Sequence, residues 1–183
     1  MAEEGSLLVL GLGNVLCGDD GLGVAAVETI RRRHAIPDNV QVLDGGTLGL
    51  ALLSYFEKDG DVILVDAIAA DQDAGSFVRL EGDEVAPAVR HRLSVHQIGV
   101  ADLLDSLRLI DSFPRRLVLL GLVPESLQLG LEKSAAVDRM MPYLLERIVE
   151  EVQRLGYDLE PKKQNETAAA GSAGTAAGPL GLS

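Results

Sequence analysis

Apolar residues fall along this chain in short blocks separated by stretches of helical period. Residues 7–13, LLVLGLG, are an unbroken apolar run closed by glycines, which predicts a buried strand. Leu22, Val24, Ala25, Val27 and Ile30 recur at helical spacing within residues 21–34, and Arg31, Arg32 and Arg33 fill the last turn, where cations complement the helix dipole. Pro37 and Asp38 make a turn, residues 40–44 predict a second strand, and Gly45–Gly46 ends it. Residues 48–57 predict a short second helix. Residues 61–68 predict a third strand, apolar except at Asp61 and Asp66. The alternation over residues 76–81 predicts a more exposed edge strand. Ser94-x-x-Gln97 is a capping-box pattern opening a helix over 96–110. A last strand spans 116–123 and a last helix 134–155, with Pro142 as a point of interruption.

Apolar strands alternating with helices imply an α/β fold whose mostly parallel sheet, of about five strands, is covered on both faces. In such sheets, sites lie at the carboxyl ends of the strands near the topological switch point. The 183 residues suit a single domain, placed at 1–160. Residues 161–183 are low in complexity and read as a disordered tail. Aromatic residues make up only 3% of a chain that is 47% apolar, so the core is expected to be aliphatic. A net charge of −12 repels phosphate backbones and argues against nucleic acid as a partner. No apolar run reaches the length of a membrane span, and the first residues, MAEEG, lack the basic start of a signal peptide. The single cysteine, Cys17, fits a reducing compartment, so a soluble cytoplasmic protein is expected, as a monomer.

The loop after the first strand, GLGNVLCGDDGLG, begins like a dinucleotide fingerprint but has Leu16 where the third glycine belongs. Asp19 and Asp20 also place negative charge where a pyrophosphate would meet the helix. Both aspartates suit helix capping as well as chemistry. Asp66 interrupts an apolar strand near its carboxyl end, where a carboxylate needs a partner, a metal or solvent. His96 falls in the first turn of a helix, whose positive end favours the neutral imidazole that binds metals or acts as a base. His34 and His91 lie among arginines and read as surface residues. Asp20, Asp66 and His96 thus come from three segments to one sheet edge, a donor set suited to nickel, zinc or manganese. No G-x-S-x-G elbow supports a serine nucleophile, and Cys17 reads as a packing residue.

Taken in order, Gly11-x-Gly13-Asn14-x-Leu16-x-x-Asp19-Asp20-x-x-Gly23, Asp44-Gly45-Gly46-Thr47, Asp66-Ala67, His96-Gln97 and Pro124-Glu125-Ser126 resemble the NiFe-hydrogenase maturation endopeptidases over about residues 6–155, most of all those that process uptake-type large subunits. The resemblance implies a three-layer α/β/α sandwich. It implies an endopeptidase that removes the C-terminal extension of a hydrogenase large-subunit precursor after nickel insertion. It also implies that nickel, carried by the precursor and not tightly held by the free enzyme, is sensed by Asp20, Asp66 and His96. Several members of the family have glutamate at the position of Asp20; aspartate keeps the carboxylate but is one methylene shorter. On these residues the metal polarises the scissile carbonyl or activates water, or a carboxylate of Asp20 or Asp66 serves as general base, as in an aspartyl-type protease. The rival readings are a non-catalytic nickel chaperone or sensor on the same fold, a nucleotide-binding enzyme, and a peptidase of the spore-germination type.

Overall fold

A computed structural model of the protein describes residues 5–56, 60–90 and 95–162; the side chains of residue 90 and of residues 95–98 lie outside that description. Strands β1 (Leu7–Leu12), β3 (Val40–Gly46), β4 (Asp61–Ala67), β5 (Phe77–Glu81) and β6 (Arg116–Leu122) form one sheet in the order β3-β1-β4-β6-β5. Every neighbouring pair is parallel except β5 with β6. The alternating segment 76–81 is therefore an edge strand, as its pattern predicts.

Period-two alternation inside the apolar strands supplies two cores. Val9, Ile63, Val65, Val118 and Leu120 face α1 (Leu22–Arg33) and α4 (Ala135–Arg154). Leu8, Leu10, Val62, Leu64, Leu117 and Leu119 face α2 (Val85–Arg90) and α3 (Val95–Leu109). Both faces of the sheet are thus covered, which explains why its strands read as continuous apolar runs. The chain leaves β1 in one direction to β3 and returns past it to β4. The carboxyl ends of β1 and β4 therefore flank the switch point.

Several elements differ from the sequence reading. Residues 49–55 wind as a 3₁₀ helix rather than an α-helix, starting at Gly49 with φ +52. Helix α2 was not visible in the pattern. Nor was the small antiparallel pairing of β2 (His34–Ala35) with β7 (Glu160–Pro161). There Lys162 N–H donates to Arg33 O at 2.7 Å, so Pro161 and Lys162 pack against the start of β2. The rest of the expected tail, the Ser94 end of the capping box and His91 lie outside the described residues. Helix α4 continues through Pro142 without a break, held by its buried face of Val137, Leu144, Ile148 and Val152.

Candidate functional site

At the switch point the backbone is drawn unusually close. A Cβ on Gly23, in the first turn of α1, would lie 2.1 Å from Val65 O and 2.5 Å from Leu12 O. A Cβ on Gly121 would lie 1.8 Å from Asp66 O. Only glycine permits these approaches. They bring the start of α1, with the turn Gly18–Gly21 before it, down onto the end of β4.

That turn carries Asp19 and Asp20, and both are buried, at 1% and 2% exposure. Neither caps α1: the helix N-cap is Gly21, and no side chain bonds there. Asp19 instead reaches across to the segment after β6. Its Oδ2 accepts from Glu125 N–H at 2.8 Å and Ser126 N–H at 3.1 Å, and its Oδ1 accepts from Ser134 N–H at 2.7 Å. Three amide donors offset the cost of burying this carboxylate. Asp20 turns inward to its own loop, where Oδ2 accepts from Asn14 N–H at 2.8 Å. Asn14 Oδ1 in turn accepts from Leu16 N–H at 3.0 Å, fixing the loop from within.

Asp66 is buried at 2% exposure, not solvated at the strand end, and its Oδ1 accepts from the next amide, Ala67 N–H, at 2.7 Å. Asp66 at the end of β4 and Asp20 in the turn Gly18–Gly21, which packs against β4, are thus both buried on the carboxyl side of the sheet. His96 lies at the start of α3, one turn before Gly99. A Cβ on Gly99 would meet Gly49 Cα at 2.9 Å, so α3 packs tightly over the 3₁₀ helix that follows β3. The backbone of His96 is therefore on the carboxyl side of the sheet; its side chain lies outside the described residues. Among the described residues no three His, Cys, Asp or Glu side chains form a metal-ligand group. His34 is half-buried in β2, away from this edge.

The sequence reading gave no role to residues 127–133, which follow the Pro124-Glu125-Ser126 motif. Gly130 bridges to Cys17, with Gly18 N–H donating to Gly130 O at 2.7 Å and Gly130 N–H to Leu16 O at 2.9 Å. Cys17 is thus a backbone link between two loops that border the site. The Leu127–Leu131 alternation of leucine with polar or small residues was the available signal.

Known proteins match this chain closely. The family model described as "HycI: Hydrogenase maturation protease" matches residues 24–151, a stretch that holds Asp66 and His96 and begins just after Asp20. The hydrogenase 2 maturation protease of Escherichia coli K12 is 36% identical over 158 residues, 86% of this chain and 96% of that protein. The hydrogenase expression/formation protein HupD of Bradyrhizobium diazoefficiens is 40% identical over 128 residues, 69% of this chain and 67% of that one. The solved structure of the hydrogenase maturating endopeptidase HybD from E. coli superposes with a TM-score of 0.81 at 35% identity, covering 86% of this chain and 98% of that one. The hydrogenase maturation protease HybD of Thermococcus kodakarensis gives 0.65 at 27% identity, covering 80% and 98%.

Proposed function

The chain belongs to the hydrogenase maturation protease family, endopeptidases that process a hydrogenase large subunit, and from that premise we propose that it cuts its precursor at Asp20 and Asp66, with His96, only when the precursor carries nickel. The observation that carries this reading is the burial of both Asp20 and Asp66 at the switch point of the sheet, Asp20 in a turn packed against β4 and Asp66 at the end of β4. The carboxylate link between the two loops is made by Asp19, so Asp20 is not needed for that bond.

A nickel ion in the precursor is attracted by two carboxylates and an imidazole. Its capture would bring the scissile bond to the site. The ion supplies Lewis acidity toward the peptide carbonyl or a bound water. Asp20 or Asp66 accepts the proton of the attacking water, and His96 in its neutral form completes the donor set. An empty precursor lacks the group that assembles this arrangement, so nickel acts as a checkpoint carried by the substrate. The free enzyme holds no nickel tightly in this reading. The lone Cys17 supports a reducing, cytoplasmic setting.

The test is the mass of nickel-loaded and nickel-free large-subunit precursor after incubation with the enzyme. Loss of a C-terminal peptide from the loaded form alone is expected, with the rate falling at least about 100-fold in Asp20→Ala, Asp66→Ala and His96→Ala. Equal cutting of the empty precursor would remove the checkpoint. Transfer of nickel to this protein with no change of precursor mass would favour a chaperone.

A further inference from the structure

We infer that Gly49 and Gly99 are positioning residues for the reaction: their direct backbone contact sets how far the start of α3, with His96, stands from the loop of Asp20. This rests on the reading of the site given above. A Cβ on Gly99 would lie 2.9 Å from Gly49 Cα, and a Cβ on Gly49 would lie 3.0 Å from Gly99 Cα. Neither approach admits a side chain unless one element shifts. Gly99 lies inside α3, where glycine weakens a helix relative to alanine. Helix formation therefore does not ask for glycine at this position, whereas the contact with Gly49 does.

The contact is tied to the site on both sides. Positions 96 and 99 are about one turn apart on α3 and share one face of it. On the side of the sheet, Leu48 N–H donates to Gly45 O at 3.0 Å, which closes the turn between β3 and Gly49. Gly13 N–H donates to Gly46 O at 3.0 Å, and the next residue, Asn14, donates its N–H to Asp20 Oδ2 at 2.8 Å. Residues 45–49 are thus a common base for the loop of Asp20 and for the start of α3. From Gly99 to Asn14 the path is backbone, so no side-chain rotation absorbs a displacement along it. A methyl at Gly99 must open the 2.9 Å approach to an ordinary carbon contact of about 3.5–4.0 Å. That moves the start of α3 by up to about 1 Å, and a misplacement of this size is enough to slow a reaction about 100-fold.

The experiment measures processing of nickel-loaded precursor by the wild-type enzyme and by Gly99→Ala, each with and without His96→Ala. Gly99→Ala is expected to lower kcat/KM at least about tenfold on its own, but by less than about twofold when His96 is already alanine, because nothing is then left to position. Leu103→Ala is the control for general loosening of α3: Leu103 is fully buried, so its truncation lowers Tm, while kcat/KM is expected to stay within about twofold. Circular dichroism and Tm establish that each variant is folded at the assay temperature. Gly49→Asn is the second variant and carries the test if Gly99→Ala does not fold. Asparagine tolerates the φ of +52 at this position, so the change adds a Cβ toward Gly99 with little backbone strain, and the same loss with the same dependence on His96 is expected. A loss of equal factor with and without His96, or one as large in Leu103→Ala, overturns the inference. If His96→Ala slows cutting but the glycine variants keep the wild-type rate, the positioning inference fails while the site reading stands. If His96→Ala cuts the loaded precursor as fast as the wild type, the site reading fails and takes the inference with it.

Discussion

Asp19 and Ser134 are 115 residues apart in sequence, yet Ser134 N–H donates to Asp19 Oδ1 at 2.7 Å. Ser134 is also the N-cap of α4, its hydroxyl accepting from Val137 N–H at 3.2 Å. One carboxylate therefore ties the first loop to the start of the longest helix and, through Glu125 and Ser126, to the end of β6. Asp19→Ala would leave three amides without their acceptor. A loss of about 2–4 kcal/mol in unfolding free energy is expected by denaturant titration. Asp19→Asn recovers only part of this, because its amide group presents donors to donors. Processing by Asp19→Asn should fall through a lower kcat, since the loop that holds Asp20 is then anchored less firmly.

Gly121 on β6 pairs with Asp66 on β4, and no side chain fits between them. In Gly121→Ala the new methyl meets backbone oxygen and the Ile68 side chain, so β4 and β6 must separate just where Asp66 is held. A destabilisation of about 3 kcal/mol or more is expected, read as a lower Tm. Gly23→Ala should behave alike, because its Cβ would press on the carbonyls of both Leu12 and Val65. An unchanged Tm in both variants would mean that the close approach is not what sets the spacing of the site.

The parts of this architecture legible in the sequence are those written in local pattern. The run at Leu7–Leu12 has no polar face to expose, so it can only be a central strand. Asp66 stands out because it breaks such a run, and it is buried at that break. Other parts depend on partners far along the chain. His34–Ala35 becomes a strand only because Glu160–Pro161 returns to it, and a two-residue strand has no period to detect. Asp19 looks like a helix cap from its neighbours alone, whereas its true partners follow β6. Asp20 could be singled out by chemistry, but nothing in its neighbourhood separated its role from that of Asp19.

Pro142 lies inside α4, where it denies the helix one backbone bond. The helix is kept continuous by the burial of Leu144 and Ile148 beyond it and Val137 before it. Pro142 also lines a groove of about 370 Å³ between α1 and α4, so the proline is reachable by solvent. Pro142→Ala restores the donor and is expected to stabilise the fold by about 1–3 kcal/mol, seen as a higher Tm. Activity should not change, because the groove lined by Ile30, Leu145 and Val149 is remote from Asp20 and Asp66.

The opposite edge of the sheet predicts how the fold responds to acid. Asp61 begins β4 and is almost fully buried, with Arg115 and Arg116 forked on its carboxylate and the Tyr157 hydroxyl donating at 3.0 Å. Burial alone would raise its pKa. Hydrogen bonds from Arg116, Arg115 and Tyr157 outweigh that and hold it at about 2, below an ordinary value of 3.8. Glu151 is shifted the same way, chiefly by Arg79, whose guanidinium bonds both carboxylate oxygens at 2.8 Å. A carboxyl depressed in the folded state contributes stability that is complete above its unfolded pKa and is lost as pH falls through the folded one. For Asp61 that window runs from about pH 4 down to about pH 2, and the contribution is about 2 kcal/mol. Unfolding free energy measured by denaturant titration should therefore be flat from pH 7 to pH 5 on account of these groups and fall below pH 4. In Asp61→Asn the fall should be shallower and the plateau lower, because Arg115 and Arg116 lose their counter-charge at every pH. A variant with the same acid slope as the wild type would show that the Asp61 cluster does not set the acid limit of the fold.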